Sequence, residues 1–216
     1  MKKYFLFDLD GTLADTGPGI TGCVQDTLRR LGWPDQTPQF LRRFVGPPLM
    51  ESFQTFCNLD ETAARRAIQL YRERYVAWGV YQSPLYPGIR DMLARLSQIV
   101  TLCVATSKRE EGAVQILEMR GIANYFSVIV GDDSTRPTKS AVIQEALDRL
   151  GNPPAEQAAM VGDRSYDIEG ARACGIQTIG ACYGYAPPGE LARAGADYLA
   201  ASVEDLESIC RMLAAD

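Results

Sequence analysis

Two aspartates spaced two residues apart follow an apolar run near the start of the chain. The run is YFLF at residues 4–7, and Asp8, Asp10 and Gly11 come directly after it. A continuous apolar run without polar alternation is typical of a strand buried on both faces of a parallel sheet. Gly11 permits the sharp turn that would end this strand. Both carboxylates are therefore expected at the carboxyl edge of a sheet, where α/β proteins place their chemistry.

Two adjacent carboxylates repel each other unless a cation, a shared proton or hydrogen bonds relieve the repulsion. Mg²⁺ is a common partner because it prefers oxygen ligands and leaves room for water and phosphate. One carboxylate could then attack phosphorus while its neighbour transfers a proton. An Asp pair is also typical of a solvated turn, because Asp favours turns. The pair by itself leaves both interpretations open.

The segment around the Asp pair and three further segments of the chain decide between these two interpretations. DLDGTLADT at residues 8–16 resembles the first motif of the haloacid dehalogenase-like phosphohydrolases. VATSK at residues 104–108, then Lys139, then VGDRSYD at residues 161–167 follow in the order of that family. The four segments span the chain, and four ordered matches are far more specific than one short motif.

The resemblance implies a role for each residue of the reacting centre. Asp8 is expected to be the nucleophile that becomes an aspartyl-phosphate, and Asp10 the general acid and base. Thr106 would donate its hydroxyl to a phosphoryl oxygen. Lys139 would neutralise charge between Asp8 and the phosphoryl group. Because the common Gly-Lys-Pro pattern is missing here, Arg136 is the rival for that cation.

The resemblance also implies a Mg²⁺ site formed by Asp8, Asp163 and Asp167, to which Asp10 would contribute its backbone carbonyl. Asp163 and Asp167 are four residues apart, a spacing that lets two side chains on one helix turn face the same ion. Mg²⁺ is thus the expected cofactor.

Further residues are expected to bind the phosphate or the rest of the substrate. The turn after β-strand one and the start of a predicted helix at 107–108 supply backbone amides and a lysine, since helix starts attract anions. The loop at residues 44–48 supplies a rigid Gly-Pro-Pro turn beside an arginine. The residues concerned are Gly11, Thr12, Ser107, Lys108, Arg43 and Gly46.

Composition limits the class of protein. The chain has 216 residues, of which 46% are hydrophobic and 23% charged, as in ordinary globular proteins. The net charge of −5 argues against a nucleic-acid partner or an anionic membrane surface. No apolar run approaches the roughly 20 residues of a membrane span. We therefore expect neither kind of partner.

The counts of cysteine and histidine narrow the chemistry. Six cysteines occur without a CxxC pair, which predicts reduced thiols in a cytoplasmic protein. Histidine is absent, which excludes Ser-His-Asp and Cys-His catalysis. Proton transfer near neutral pH must then come from carboxylates, lysines or metal-bound water.

The elements that position these residues follow from the apolar pattern. Strands are predicted at 4–7, 99–105, 125–130, 158–161 and 177–182, with an edge strand at 198–199. They alternate with helices, which predicts an α/β protein with a doubly wound parallel sheet. Residues 16–82 show only helical spacing. The resemblance makes them an inserted all-helical cap domain (a C1 cap), with residues 1–15 and 83–216 forming the core domain.

The predicted function is a Mg²⁺-dependent phosphomonoesterase acting on small phosphorylated metabolites through an aspartyl-phosphate. The cap and the loop at 44–48 resemble those of phosphoglycolate phosphatases, and the third and fourth motifs resemble a 5′-nucleotidase-like branch. A dehalogenase would not need the metal-binding acids, and related phosphomutases usually use a cap histidine. A receiver-like phospho-acceptor has a short connection after strand one. The protein is expected to be a monomer or homodimer.

Overall fold

The fold is built on a six-stranded sheet in which every neighbouring pair of strands is parallel. The computed structural model describes residues 1–133, 135–136 and 138–215. The strand order is β3-β2-β1-β4-β5-β6. The strands are β1 Tyr4–Phe7, β2 Thr101–Arg109, β3 Phe126–Asp132, β4 Ala158–Gly162, β5 Gln177–Ala181 and β6 Tyr198–Ala200. The predicted doubly wound α/β fold is confirmed.

Helices follow or separate these strands. Those between β1 and β2 include the predicted insertion: α1 Gly17–Arg30, α2 Pro38–Arg42, α3 Leu49–Cys57, α4 Glu61–Ala77 and α5 Ile89–Leu96. The later helices are α6 Glu110–Met119, α7 Lys139–Arg149, α8 Ser165–Ala173, α9 Glu190–Arg193 and α10 Val203–Ala215. None of the helices found in the described ranges is long and apolar enough to cross a membrane.

Strand β1 lies at the centre because both of its faces are apolar. Phe5 and Phe7 are fully buried in the cluster on one face of the sheet, and Leu6 is fully buried in the cluster on the other. The Asp8 amide continues the pairing by donating to the Val161 carbonyl at 2.8 Å. Asp8 is thereby fixed at the sheet edge rather than on a free loop.

The helical insertion packs on the same face as Phe5 and Phe7 and shares their apolar cluster. Its helix starts are capped as the sequence predicts: the Asp60 carboxylate accepts from the Ala63 amide at 2.8 Å. Four phenylalanines form its aromatic centre, where Phe44 contacts Phe40, Phe53 and Phe56 at ring-centroid distances of 5.2–5.8 Å.

Two linker segments join the insertion to the sheet and hydrogen-bond to each other. Ala14 and Leu85 form an antiparallel bridge. The Asp15 amide donates to the Pro84 carbonyl at 2.8 Å, and the Tyr86 amide donates to the Leu13 carbonyl at 3.2 Å. The predicted domain limits at 15/16 and 82/83 fall beside this pair of linkers, and they stay a prediction.

Strand β2 corrects one detail of the prediction. It runs to Arg109, and the register with β3 shifts between Ala105 and Arg109 before Arg109 pairs with Asp132. The next helix begins only at Glu110. Ser107 and Lys108 therefore lie at the irregular end of a strand, not at a helix start, because pairing with β3 continues past Thr106.

We expect Leu6→Ala to lower the free energy of unfolding by about 2–5 kcal/mol, because it removes a fully buried side chain from the central strand. Urea unfolding at neutral pH measures this. Ile99→Ala, whose side chain is 53% exposed, is the matched control and should change stability by less than about 0.5 kcal/mol. Equal losses in both variants would contradict the central placement of β1.

Candidate active site

The candidate residues meet at the carboxyl ends of β1, β2 and β4. Asp8 follows β1, Thr106 lies near the end of β2, and Asp163 follows β4. Lys139 and Asp167 come from the first turns of α7 and α8. Each of these five side chains belongs to a residue less than 10% exposed. The parallel sheet thus brings together side chains that are far apart in the sequence.

Lys139 holds two of the buried carboxylates. Its Nζ lies 2.6 Å from Asp8 Oδ1 and 2.6 Å from Asp167 Oδ1. Burial alone would lower the pKa of the Lys139 ammonium, but Asp167 and Asp8 raise it above its ordinary value. Its rival Arg136 instead pairs with Asp133, Glu110 and Glu145. Lys139, not Arg136, is therefore the cation beside Asp8.

Asp8, Asp163 and Asp167 form a buried acidic trio. Each offers a carboxylate oxygen, and the three oxygens lie within 4.8 Å of one another. Asp163 Oδ1 is buried and accepts no hydrogen bond from the described residues. Burial, followed by the charges of Asp167 and Asp8, raises the pKa of Asp163 well above its ordinary value. Three carboxylates against one ammonium leave excess negative charge, and hard oxygen donors suit Mg²⁺.

The pKa of the Asp8 carboxyl group is raised for the same reasons. Burial raises the pKa of Asp8 to about 6, with Asp167 and Asp10 adding to the shift and Lys139 opposing it. A bound dication would favour the ionised form, which is the form that can act as a nucleophile. The residues present therefore fit the expected metal.

Asp10 is not part of the trio, although it is only two residues from Asp8. Asp10 Oδ2 accepts from Lys108 Nζ at 2.9 Å. Its other oxygen, Oδ1, is buried and has no hydrogen-bond partner among the described residues. The carboxylate of Asp10 is thus separate from the acidic trio, and its predicted metal contact stays limited to the backbone carbonyl.

A cavity of about 1070 Å³ opens between the sheet edge and the helical insertion. Its floor contains Asp8 and Asp10 together with the predicted phosphate-binding residues of β2. Its walls come from the insertion and include the predicted Gly46. The lining residues used below are Asp8, Asp10, Thr106, Ser107, Lys108, Arg109, Gly46, Tyr71, Arg72 and Tyr75.

Two predicted phosphate-binding residues do not reach this cavity. The Gly11 amide donates to the Ala14 carbonyl at 2.9 Å, and the Thr12 amide donates to the Leu9 carbonyl at 3.3 Å, so the turn uses both donors itself. Gly11 has a φ of +86°, and a Cβ there would lie 2.2 Å from Asp163 Oδ2. Glycine is needed at this position to let Asp163 approach the turn.

Arg43 also lies elsewhere. It is exposed, and its guanidinium carbon lies 4.0 Å from the centroid of the Phe56 ring. The insertion places two arginines in the cavity wall, Arg65 and Arg72, and Arg65 pairs with Glu61. Burial, followed by the charge of Arg109, lowers the pKa of Arg72. The nearby charge of Asp132 opposes that shift, and the position of Arg72 in the cavity wall makes it a better candidate than Arg43 for binding an anion.

Tyr185 is a site residue that the sequence analysis missed. Its amide donates to Asp163 Oδ2 at 2.7 Å. Its hydroxyl accepts from the Gly17 amide at 2.8 Å and donates to Asp15 Oδ1. One residue thereby connects a member of the acidic trio to the first linker of the insertion. The only signal in the sequence is its position just after the fifth strand, at the same sheet edge.

The loop after β4 also contacts the insertion. The Arg164 guanidinium donates to the Val45 carbonyl and pairs with Glu190 at 2.9 Å. The Tyr166 hydroxyl donates to Glu51 Oε1 at 2.9 Å. Arg164 and Tyr166 are neighbours of the trio's Asp163 and Asp167 in the sequence. The segment that supplies the acids therefore also holds the insertion over them.

The model of the haloacid dehalogenase-like hydrolase family matches residues 5–181, which is most of the chain. The chain belongs to this family. The resemblance predicted from the four motifs is confirmed.

Relatives within the haloacid dehalogenase-like family carry several names. A 5′-nucleotidase from Pseudomonas aeruginosa is 40% identical over 189 residues, covering 86% of this chain and 85% of that protein. A phosphoglycolate phosphatase from Chromobacterium violaceum is 31% identical over 218 residues, covering 97% and 96%. The crystal structure of a predicted phosphatase from Clostridium acetobutylicum superposes with a TM-score of 0.95 at 40% identity, covering 98% and 99%.

The raised pKa of Asp8 predicts a pH dependence of stability for this family member when a chelator removes metals. The pKa of Asp8 is about 6 in the folded state, against an ordinary value of 3.8. Protonation of Asp8 therefore favours the folded state, and this contribution to stability is complete below about pH 3.8 and is lost as the pH rises through about 6. Asp8→Asn removes the free-energy cost of ionising this buried carboxyl group. Its stability relative to wild type should therefore rise by up to about 3 kcal/mol between pH 4 and 7.5.

Urea unfolding at pH 4, 6 and 7.5 with chelator measures the difference. Asp91→Asn, at an exposed position on α5, is the matched control. Mg²⁺ should stabilise the wild type at pH 7.5 and stabilise Asp8→Asn less. Parallel stability curves for Asp8→Asn and wild type would contradict the raised pKa.

Proposed function

We propose that this protein is a Mg²⁺-dependent phosphomonoesterase that hydrolyses small phosphorylated metabolites through an aspartyl-phosphate on Asp8. The observation that carries the proposal is the arrangement of Asp8. Its buried carboxylate faces the cavity, is paired with Lys139, and belongs to a trio with Asp163 and Asp167 that fits a dication. The enzyme class, a phosphoric monoester hydrolase, follows from the family and its named phosphatases.

In the first step, Asp8 attacks phosphorus, an O–P bond to Asp8 forms, and the bond to the leaving-group oxygen breaks. Asp10 donates a proton to that oxygen. In the second step, Asp10 takes a proton from water, which attacks the aspartyl-phosphate, releases phosphate and frees Asp8. Lys139 neutralises charge on the Asp8 side throughout. Mg²⁺, held by Asp8, Asp163 and Asp167, would supply further positive charge beside the phosphoryl group.

Thr106 and Ser107 line the cavity beside the two aspartates and are the candidates for binding phosphoryl oxygens. The Thr106 hydroxyl oxygen accepts from the Lys108 amide at 3.3 Å, which leaves its own proton free to donate to a phosphoryl oxygen. Gly46 lies in the cavity wall with a φ of +105°, and a Cβ there would be 2.8 Å from Arg164 Cγ, so glycine lets the insertion loop pack against the Arg164 side chain.

The leading substrate class is a phosphomonoester with a second anionic group, as in phosphoglycolate. The support is Arg72 in the cavity wall near Arg109, together with the phosphoglycolate phosphatase relative. A nucleoside monophosphate is the alternative. Its support is the cavity volume of about 1070 Å³, which exceeds what phosphoglycolate needs, and the 5′-nucleotidase relative.

Other readings of the site have less support. A dehalogenase would not require the trio of Asp8, Asp163 and Asp167, and a histidine-dependent phosphomutase is excluded by the absence of histidine. A receiver-like phospho-acceptor is disfavoured by the five α-helices that separate β1 from β2. The cytoplasmic location and the monomeric or dimeric state stay predictions.

We also propose that residues 16–82 act as a lid over the cavity, hinged at the two linkers. The support is that the linkers contact each other through the Ala14–Leu85 bridge, while the insertion supplies one wall of the cavity. Lids of this kind exclude water and carry the specificity contacts.

Substitution of the two aspartates should separate their roles. Asp8→Asn should abolish both turnover and phosphoenzyme formation, because the nucleophile is lost. Asp10→Asn should slow hydrolysis of the phosphoenzyme about 10²- to 10⁴-fold. Its defect in phosphorylation should shrink with a good leaving group such as 4-nitrophenol. Rapid-quench detection of the acid-stable phosphoenzyme measures both steps, and full turnover by Asp8→Asn would overturn the proposal.

Substrate selection distinguishes Arg72 from Arg43. Arg72→Ala should raise KM for phosphoglycolate about tenfold or more, because a charged hydrogen bond is lost, and should change KM for 4-nitrophenyl phosphate less than twofold. Arg43→Ala should leave both KM values near those of the wild type. Steady-state kinetics with Mg²⁺ measure this, with AMP as the third substrate. An Arg43 effect restricted to phosphoglycolate would favour the original sequence-based assignment.

A further inference from the structure

Lys108 occupies a position that the two-step reaction above does not explain. Its side chain is only 9% exposed, and its ammonium contacts Asp10, not the nucleophile. The distance from Nζ to Asp10 Oδ2 is 2.9 Å. The sequence predicted a phosphate contact for Lys108, whereas the buried cation beside the nucleophile is Lys139.

The other neighbour of this ammonium comes from the helical insertion. Lys108 Nζ lies 4.6 Å from the centroid of the Tyr75 ring, which is within the range of a cation–π contact. Tyr75 stacks in turn on Tyr71, with centroids 5.5 Å apart and planes at 16°. Both tyrosines lie on α4 and are more than 90% buried. A continuous stack therefore runs from Asp10 through Lys108 into the insertion.

We propose that Lys108 is a positioning residue that holds the Asp10 carboxylate in place for proton transfer, and that the Tyr75 ring holds Lys108 there only when the insertion covers the site. The proposal rests on the proposed phosphatase function, in which Asp10 is the general acid and base. It assigns to α4 a part in catalysis in addition to forming the cavity wall.

The hydrogen bonding of Asp10 supports this division of labour. Lys108 occupies Oδ2, while Oδ1 is buried and accepts no hydrogen bond from the described residues. One oxygen is therefore fixed by an ion pair, while the other keeps its hydrogen-bonding capacity for the proton-transfer step. A carboxylate fixed through one oxygen has less orientational freedom to lose on reaching the geometry for proton transfer than a freely rotating one.

The chemistry of lysine explains why a second contact is needed. An ammonium on a four-carbon stem has many rotamers, so a single ion pair fixes it poorly. A desolvated cation–π contact restrains the ammonium further. Burial alone would lower the pKa of the Lys108 ammonium, but Asp10 and Tyr75 raise it above its ordinary value. The group therefore remains a cation inside the closed site.

Substitution can separate the Tyr75 ring, whose centroid lies 4.6 Å from Lys108 Nζ, from the Tyr75 hydroxyl, which also contributes to the raised pKa of that ammonium. Tyr75 Oη is buried without a hydrogen-bond partner in the described residues, so Tyr75→Phe removes an unpaired group and keeps the ring. Tyr75→Leu removes the ring itself. Lys108→Met removes the charge with little loss of volume, and Lys108→Arg restores a cation.

The test compares phenyl phosphate with 4-nitrophenyl phosphate, two substrates of similar shape whose leaving groups differ in basicity, in the presence of Mg²⁺. Lys108→Met should lower kcat/KM for phenyl phosphate about 10- to 100-fold and for 4-nitrophenyl phosphate several-fold less. KM should change little, and Lys108→Arg should recover part of the loss. Tyr75→Leu should show the same leaving-group dependence, while Tyr75→Phe should stay near wild type.

Three results would overturn the inference: a Lys108→Met defect confined to KM, equal losses on both substrates, or equal defects in Tyr75→Phe and Tyr75→Leu. Arg66→Gln, at an exposed position on α4 outside the cavity lining, is the control for α4. If Lys108→Met does not fold by circular dichroism, the Tyr75 pair decides alone. Failure of the proposed function is recognised separately, because the wild type would then form no phosphoenzyme on Asp8.

Discussion

The ion pair that Lys139 makes with Asp8 and Asp167 is the contact around which the site is built. Burying carboxylates without compensation is costly, and a buried charge survives only when it is paired. The pair requires α7 and α8 to lie close together, and Gly170 on α8 allows this, since a Cβ there would be 3.0 Å from the Lys139 side chain. The sheet, the two helix starts and the glycine therefore all serve one electrostatic requirement.

A second ammonium gives Asp10 a different environment from Asp8. The two aspartates are separated by a single residue, yet Asp8 belongs to the acidic trio and Asp10 pairs with Lys108. Two carboxylates with unlike surroundings can take unlike roles in one reaction. Asp8 pairs with Lys139 and Asp10 with Lys108, and both line the cavity that the helical insertion walls on one side. Because Asp8 and Asp10 are chemically identical, their different roles come from their different surroundings.

The sequence predicted the sheet well because strands buried on both faces appear in it as continuous apolar runs. It also predicted Asp8, Lys139, Asp163 and Asp167 as neighbours, and the structure brings them together. Local patterns were sufficient here because each residue stands at the end of a strand or the start of a helix. Their catalytic roles stay predictions until they are tested.

Contacts that depend on tertiary packing could not be predicted in this way. Arg43 was chosen for its position beside a rigid loop, but aromatic rings of the insertion hold it outside the cavity. Lys108 was placed at a helix start, and the irregular end of β2 instead directs it to Asp10. Tyr185 carries no motif, since its role arises from contacts with residues near the other end of the chain.

The position of β1 has a consequence for how the chain is assembled during synthesis. Its neighbours in the sheet begin only at Thr101 and Ala158, so this apolar strand leaves the ribosome long before either partner exists. The helices of the insertion, which depend on nearer contacts, emerge in between and can form first. Tyr185 arrives later still, and only then can the linker at Asp15 and Gly17 be fastened. During translation the nascent chain is therefore most exposed to aggregation while strand β1 is still unpaired.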